Sequence, residues 1–198
     1  MARRIGILGG SFNPAHRGHL DISLAAIHRL GLDQVWWMVS PQNPLKAEAG
    51  MAPFAERLAS ARAMARDSRI KVTDIEARLG THYTAETLTL LVRRFPGHHF
   101  VWLMGADNLA QISAWKDWQQ IFHLLPIAVF ARPSYSFGAL AAKAARRFVQ
   151  YRLREGAGRR LVMAVPPAWL FVHARLNPIS ATEIRRRRSK PRSTTTKG

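Results

Sequence analysis

The chain contains no cysteine in 198 residues, which excludes disulfides, thiolate catalysis and cysteine-ligated metals. Acidic residues are scarce as well: twelve Asp and Glu stand against thirty Lys and Arg, a formal net charge of +18. That balance favours anionic partners such as nucleotides, polyphosphate or nucleic acid. No uninterrupted apolar run approaches the roughly 20 residues of a membrane span. After the basic start Met1-Ala2-Arg3-Arg4, only Ile5 to Leu8 precede a Gly-Gly pair, too short a stretch for a signal-peptide core. The expected compartment is the cytoplasm, with no membrane partner. Two phosphate-binding fingerprints are also missing: no Lys-Ser/Thr follows a P-loop glycine spacing, and there is no G-x-G-x-x-G. There is no internal repeat.

The length suits one sizeable core with an appendage. Residues 1–188 read as one domain and 189–198 as a basic tail, expected to be disordered. Much of the positive charge is local. From Arg185 onward there are seven basic residues and no acidic one, and Lys143 to Arg160 holds seven more against Glu155 alone, so charge by itself says little about the ligand of the fold.

The central feature is Gly9-Gly10-Ser11-Phe12-Asn13-Pro14-Ala15-His16-Arg17-Gly18-His19. It follows the apolar run Ile5 to Leu8 and precedes helical spacing at Leu20, Leu24, Ile27 and Leu30. Glycines at a strand end let the backbone turn tightly and approach a ligand. The helix that follows directs unpaired N–H groups and its positive dipole end into that turn, which makes an anion site. His16 and His19 stand where two ring N–H donors could meet one phosphate chain. Such donors suit charge stabilisation of a transferring phosphoryl or nucleotidyl group better than hydride chemistry.

Along the rest of the chain, strands are expected at Arg4 to Leu8, Gln34 to Val39, Arg69 to Thr73, His99 to Met104 and Leu125 to Phe130. Helices are expected from His16 or Arg17 to Leu30 with Gly31 as C-cap, from Pro53 to about Asp67, from Thr84 to Phe95, at Leu109 to Ile112 and at Trp115 to Phe122. Thr84 and Thr87 offer hydroxyls for the N-cap of the third of these. Gly138 to Arg154 reads as one helix, Leu161 to Val165 and Trp169 to His173 as a strand pair or one strand with an extended approach, and Thr182 to Arg188 as a last helix. The alternation predicts an α/β, Rossmann-like, doubly wound parallel sheet of about five to six strands. Ligands of such sheets lie outside the carboxyl ends of the strands, where Gly9 to His19, Ser40 to Lys46, Gly105 to Asn108 and the segment near Ser180 would meet. Trp36, Trp37 and Trp102 read as core, and His28, His98, His99, His123 and His173 as surface or core.

A second cluster, Ile179-Ser180-Ala181-Thr182-Glu183-Ile184-Arg185, has the spacing of a capping box. Beside the first loop it supplies another phosphate-binding helix start, with Arg185 offering a fork of donors.

GGSFNPAHRGHL together with ISATEIR resembles the nucleotidyltransferase superfamily that carries (H/T)-x-G-H and I-S-x-T-x-I-R motifs. MGADN, Tyr83-Thr84 and AWKDW extend the likeness to the family of bacterial nicotinate mononucleotide adenylyltransferases over roughly residues 4 to 188. The resemblance implies adenylyl transfer from ATP to nicotinate mononucleotide in NAD biosynthesis, with Mg²⁺ bound with the ATP. It implies catalytic roles for His16, His19 and Arg185. ATP would be held by Gly9, Gly10, Ser11, Phe12, Gly18, Ser180 and Thr182, and the acceptor by Lys46, Tyr83, Thr84, Asp107 and Trp115. Asn13 stands in place of the usual acid, and Asn43-Pro44-Leu45-Lys46 in place of Pro-Pro-His-Lys/Arg. Pantetheine-phosphate adenylyltransferase is the alternative within the superfamily. A basic nucleic-acid-binding protein is the alternative from another class. The oligomeric state is left open.

Overall fold

The computed structural model describes residues 2–41, 50–131, 136–174 and 181–189. In chain order the elements are β1 (Arg4–Gly10), α1 (Arg17–Leu30), β2 (Gln34–Val39), α2 (Phe54–Met64), β3 (Ile70–Thr73), α3 (Ile75–Leu79), α4 (Thr84–Arg94), β4 (His99–Gly105), α5 (Ala106–Gln111), α6 (Trp118–Leu124), β5 (Ile127–Phe130), α7 (Ser136–Ala141), α8 (Lys143–Arg147), β6 (Arg152–Leu153), α9 (Gly158–Leu161), β7 (Trp169–Val172) and α10 (Ala181–Ser189). The strands form one seven-stranded sheet in the order β3-β2-β1-β4-β5-β7-β6, parallel throughout. The expected Rossmann-like class is observed, with one or two more strands than the five to six expected.

Both faces of the sheet are covered, so its central strands are apolar on both sides rather than alternating with polar residues. Successive side chains of β4 divide between the two halves of the core. Phe100, Trp102 and Met104 join Ile5, Ile7, Val129 and Phe171 under the helices that contribute Leu88, Leu91, Leu109, Ile121 and Phe122. Val101 and Leu103 join Leu8, Trp37, Ala128 and Leu170 under α1, α2 and α9. Helix α1 buries Ile22, Ala26, Ile27 and Leu30; Leu20 and Leu24 of the expected apolar face are only half-buried. Gly31 ends α1 at φ 66° and donates its N–H to the carbonyl of Ile27, the C-cap read from the sequence.

Three expectations are corrected. The single helix over Gly138 to Arg154 is broken into α7, α8, a 3-10 turn and the two-residue strand β6. Here Phe148 stacks on Phe122, ring centroids 4.2 Å apart, and its carbonyl accepts the Trp169 indole N–H at 2.7 Å, so side-chain packing and the strand β7 outweigh helix propensity. Of the two readings for Leu161 to His173, the strand pair is not formed: β7 is the one strand, and Leu161 to Val165 is the end of α9, a turn and irregular chain, with Val165 86% exposed. Helix α4 has Tyr83 at its N-cap with no side-chain cap, and the Thr87 hydroxyl turns to the Tyr83 carbonyl at 3.1 Å. The short helix α3 was not expected.

The strand order reverses between the parallel neighbours β1 and β4: the chain adds strands outward from β1 to β3 on one side and outward from β4 on the other. The loops leaving their carboxyl ends therefore diverge to opposite faces and open a crevice. Gly10 ends β1 and Gly105 ends β4, placing both loops at that crevice. Among the described residues no helix is long and apolar enough to cross a membrane.

Candidate active site at the carboxyl edge of the sheet

The crevice holds a cleft of about 610 Å³. One wall is the loop Gly9 to Asn13 with His16 and His19. The opposite wall is built from Glu76, His82, Tyr83 and Thr84 before and at the start of α4, Asp107, Asn108 and Gln111 of α5, and Trp115 and Lys116 before α6. Ala181 and Thr182 of α10 close a third side.

At the first wall, two imidazoles cap α1. The N-cap His16 accepts the Gly18 N–H on its Nδ1 at 3.1 Å, and His19 accepts the His16 N–H on its own Nδ1 at 3.2 Å. This is a capping box made by histidines in place of Ser and Glu. With both Nδ1 atoms accepting, the proton of each neutral ring sits on Nε2. The rings lie 3.9 Å apart. Phe12, 1% exposed, stacks on Trp37 at 5.1 Å and lies 4.6 Å from His19, so its ring backs the histidine from the core. The Trp37 indole donates to Ser23 Oγ at 2.7 Å, and Ser23 donates to the His19 carbonyl at 2.9 Å.

The two glycines differ. A Cβ on Gly9 would lie 2.4 Å from the Trp102 ring, whereas one on Gly10 would meet nothing nearer than Phe12 at 3.6 Å. Gly9 is demanded by packing against Trp102; Gly10 has room for a methyl, and its bare backbone faces the cleft. Gly18 is buried, with its N–H committed to His16, and is not part of the cleft wall. The expected approach of a ligand to Gly18 has no counterpart in this arrangement.

The loop is held from behind by Arg57, 2% exposed. Its guanidinium donates to the carbonyls of Ser11 (2.8 Å), Ser40 (2.6 Å), Pro41 (2.5 Å) and Ala52 (3.0 Å), tying the ends of β1 and β2 to the start of α2. Burial pulls its pKa below the ordinary arginine value. Asn13, 6% exposed, donates to the Gly50 carbonyl at 3.0 Å and accepts the Ala52 N–H at 3.3 Å. Its side chain thus serves as a loop anchor. Asn13 also accepts, on its carbonyl, a 2.5 Å bond from Arg185, which donates to Thr182 Oγ1 at 3.3 Å as well. Arg185 therefore reaches the loop of β1 across most of the sequence; it is exposed and is not among the residues that line the cleft.

On the opposite wall Glu76 is 4% exposed. Burial pushes its carboxyl pKa up, against smaller lowering by hydrogen bonds from Ser40 and Thr87 and by His82. Its Oε2 is buried with no hydrogen-bond partner among the described residues. Thr81 and Thr87 hydroxyls pair at 2.7 Å beside it. Lys116 lies with its ammonium 4.3 Å from the centroid of the Tyr83 ring.

Of the residues expected from the sequence, Gly9, Gly10, Ser11, Phe12, His16, His19, Tyr83, Thr84, Asp107, Trp115 and Thr182 line the cleft. Lys46 and Ser180 lie outside the described residues. Arg57, Glu76, His82 and Lys116 were missed. Arg57 and Glu76 sit on helices where charge normally means solvent, and nothing local marks them; Lys116 could have been found as the basic neighbour of Trp115.

A family model described as cytidylyltransferase-like matches residues 7–187. A curated relative from Parvibaculum lavamentivorans, named "Probable nicotinate-nucleotide adenylyltransferase", is 52% identical over 184 residues, covering 93% of this chain and 92% of that protein. A relative of the same name from Methylorubrum extorquens (strain PA1) is 49% identical over 184 residues, covering 93% of this chain and all of that protein. The fold is shared with the solved structure of Plasmodium falciparum nicotinic acid mononucleotide adenylyltransferase complexed with NaAD, with TM-score 0.69 and 16% identity over 93% of this chain and 83% of that one.

Proposed function

The chain belongs to the cytidylyltransferase-like family, and from that premise we propose that it transfers the adenylyl group of ATP to nicotinate mononucleotide, giving nicotinate adenine dinucleotide and pyrophosphate. The observation that carries the reading is the histidine-capped start of α1 at the reversal of strand order, in a chain about half identical to nicotinate-nucleotide adenylyltransferases over nearly their whole length.

The 5′-phosphate of the acceptor is anionic at neutral pH and needs neither a general base nor a covalent enzyme intermediate. One of its oxygens forms a bond to the α-phosphorus of ATP in line with the bond that breaks to the β-phosphate, and pyrophosphate leaves with that electron pair. The protein supplies position and fixed positive potential. His16 and His19 present Nε2–H donors to the phosphates beside the N-terminus of α1. Gly10 lets the nucleotide approach the backbone, while Gly9, Ser11 and Phe12 shape the same loop. Thr182 and Arg185 grip the β- and γ-phosphates, and Ser180 is assigned to the same group by its motif. Trp115, Tyr83, Thr84 and Asp107, with Lys46, hold the pyridine nucleotide.

Among the described residues no group of three or more His, Asp or Glu side chains could hold a metal ion, and the carboxylates lining the cleft are Glu76 and Asp107. This donor set fits Mg²⁺ carried on the triphosphate rather than caged by protein. Bound there, the ion would spread the phosphate charge and favour departure of pyrophosphate. The same reading places the reaction in the cytoplasm.

The deciding assay supplies ATP and Mg²⁺ with nicotinate mononucleotide, nicotinamide mononucleotide or phosphopantetheine and measures pyrophosphate. Release with nicotinate mononucleotide is expected; release with phosphopantetheine alone would replace the reading with pantetheine-phosphate adenylyltransferase.

A further inference from the structure

The two walls of the cleft differ in charge. The histidine loop, the α1 N-terminus and Arg185 all serve the side against α1. On the other wall the described lining contains a single amine and no guanidinium, and that amine is Lys116. The same wall carries two carboxyls, Glu76 and Asp107.

Lys116 follows Trp115 directly, and its ammonium is 4.3 Å from the centroid of the Tyr83 ring. The contact is a cation–π interaction, which holds the flexible side chain against the wall. The charge is thereby kept among the aromatic groups that would flank a pyridine ring. Nicotinate and nicotinamide mononucleotides have nearly the same shape and differ by one full negative charge on the ring substituent, so discrimination between them is a question of local potential.

We propose that Lys116, seated on Tyr83 at the mouth of the cleft, is a specificity-determining residue that favours an acceptor bearing a pyridine carboxylate over one bearing the carboxamide. The inference rests on the adenylyltransferase reading above. Lys116 is exposed, so its field acts through water and is partly screened by salt. It biases the choice of acceptor without touching the reacting phosphorus.

The test compares kcat/KM for nicotinate and nicotinamide mononucleotides, at saturating ATP and Mg²⁺, in the wild type, Lys116→Met and Lys116→Arg. Methionine keeps an apolar stem against Tyr83 and removes the charge; arginine keeps the charge. The nicotinate-to-nicotinamide ratio should fall about five-fold in Lys116→Met, the effect expected of one exposed ion pair, through KM rather than kcat. Lys116→Arg should retain the ratio. Raising the NaCl concentration should shrink the wild-type ratio and leave the Lys116→Met ratio unchanged. An unchanged ratio in an active Lys116→Met enzyme with wild-type thermal midpoint overturns the role of Lys116 and leaves the adenylyltransferase reading intact. Absence of turnover with both mononucleotides in the wild type overturns both.

Discussion

His19 turns its Nδ1 back onto the backbone N–H of His16, 3.2 Å away, while the Nδ1 of His16 takes the N–H of Gly18. Each histidine thus fixes the helix start through Nδ1, and the function proposed above assigns its Nε2–H to the phosphates. The two functions can be separated. Asparagine at position 16 can accept the same capping bond but offers no imidazole N–H. His16→Asn should lower kcat about 100-fold or more, as loss of one preorganised donor does, with little change in thermal midpoint. His16→Ala should lose in addition about 1 kcal/mol of stability with the cap. Turnover in His16→Asn equal to the wild type would remove His16 from the catalytic group.

Gly9 and Gly10 should respond oppositely to the same added methyl. In Gly9→Ala the Cβ meets the Trp102 ring at 2.4 Å, and the overpacking should cost about 1–3 kcal/mol, read as a lower denaturation midpoint. Gly10→Ala has 3.6 Å of clearance; it should keep the wild-type midpoint and show a raised KM for ATP. If Gly10→Ala binds ATP normally, the nucleotide does not approach that stretch of backbone.

Replacing Arg57 should disorganise the loop from behind. Arg57→Met removes the donor to four carbonyls, those of Ser11, Ser40, Pro41 and Ala52. Leaving buried acceptors unpaired costs about 1–3 kcal/mol each where water cannot replace the bond, so a loss of about 3 kcal/mol or more is expected. Arg57→Lys, with one nitrogen instead of a fork, should recover only part of the loss. Chemical denaturation of the two variants measures both effects; full recovery by lysine would mean the fork geometry is irrelevant.

Glu76 makes stability depend on pH with a determined sign. Burial raises its pKa above the ordinary 4.5, so between the unfolded and folded values the native state holds the proton more tightly. Stability is therefore lost as pH climbs through that window. Glu76→Gln removes the titration, and its thermal midpoint relative to wild type should improve from pH 4 to pH 8. A midpoint difference that is flat or reversed over this range would show that the carboxyl is better accommodated as an anion than its surroundings imply.

The loop from Gly9 to His19 was legible because its causes are local. A strand ending in Gly-Gly, a turn with Pro14, and polar side chains at a helix start are decided within a dozen residues, and β2, β4 and α1 lie where apolar spacing puts them. The region from Gly138 to Val165 was not legible. Its Ala, Arg and Lys residues favour one helix, but Phe148 finds its ring partner in α6 and the partner of its carbonyl in β7.

The same division runs through the site. From the sequence alone came the parallel α/β class, the edge of the sheet where a ligand belongs, the histidine pair and the glycines, since alternating periodicity and capping chemistry depend on near neighbours. Only the folded chain decided which wall each residue joins. Arg57 reaches Ser11 over 46 positions and Arg185 reaches Asn13 over 172. Burial also made a buffered carboxyl of Glu76 and a clamp of Arg57, because desolvation and hydrogen-bond supply are set by whatever distant segments close over a side chain.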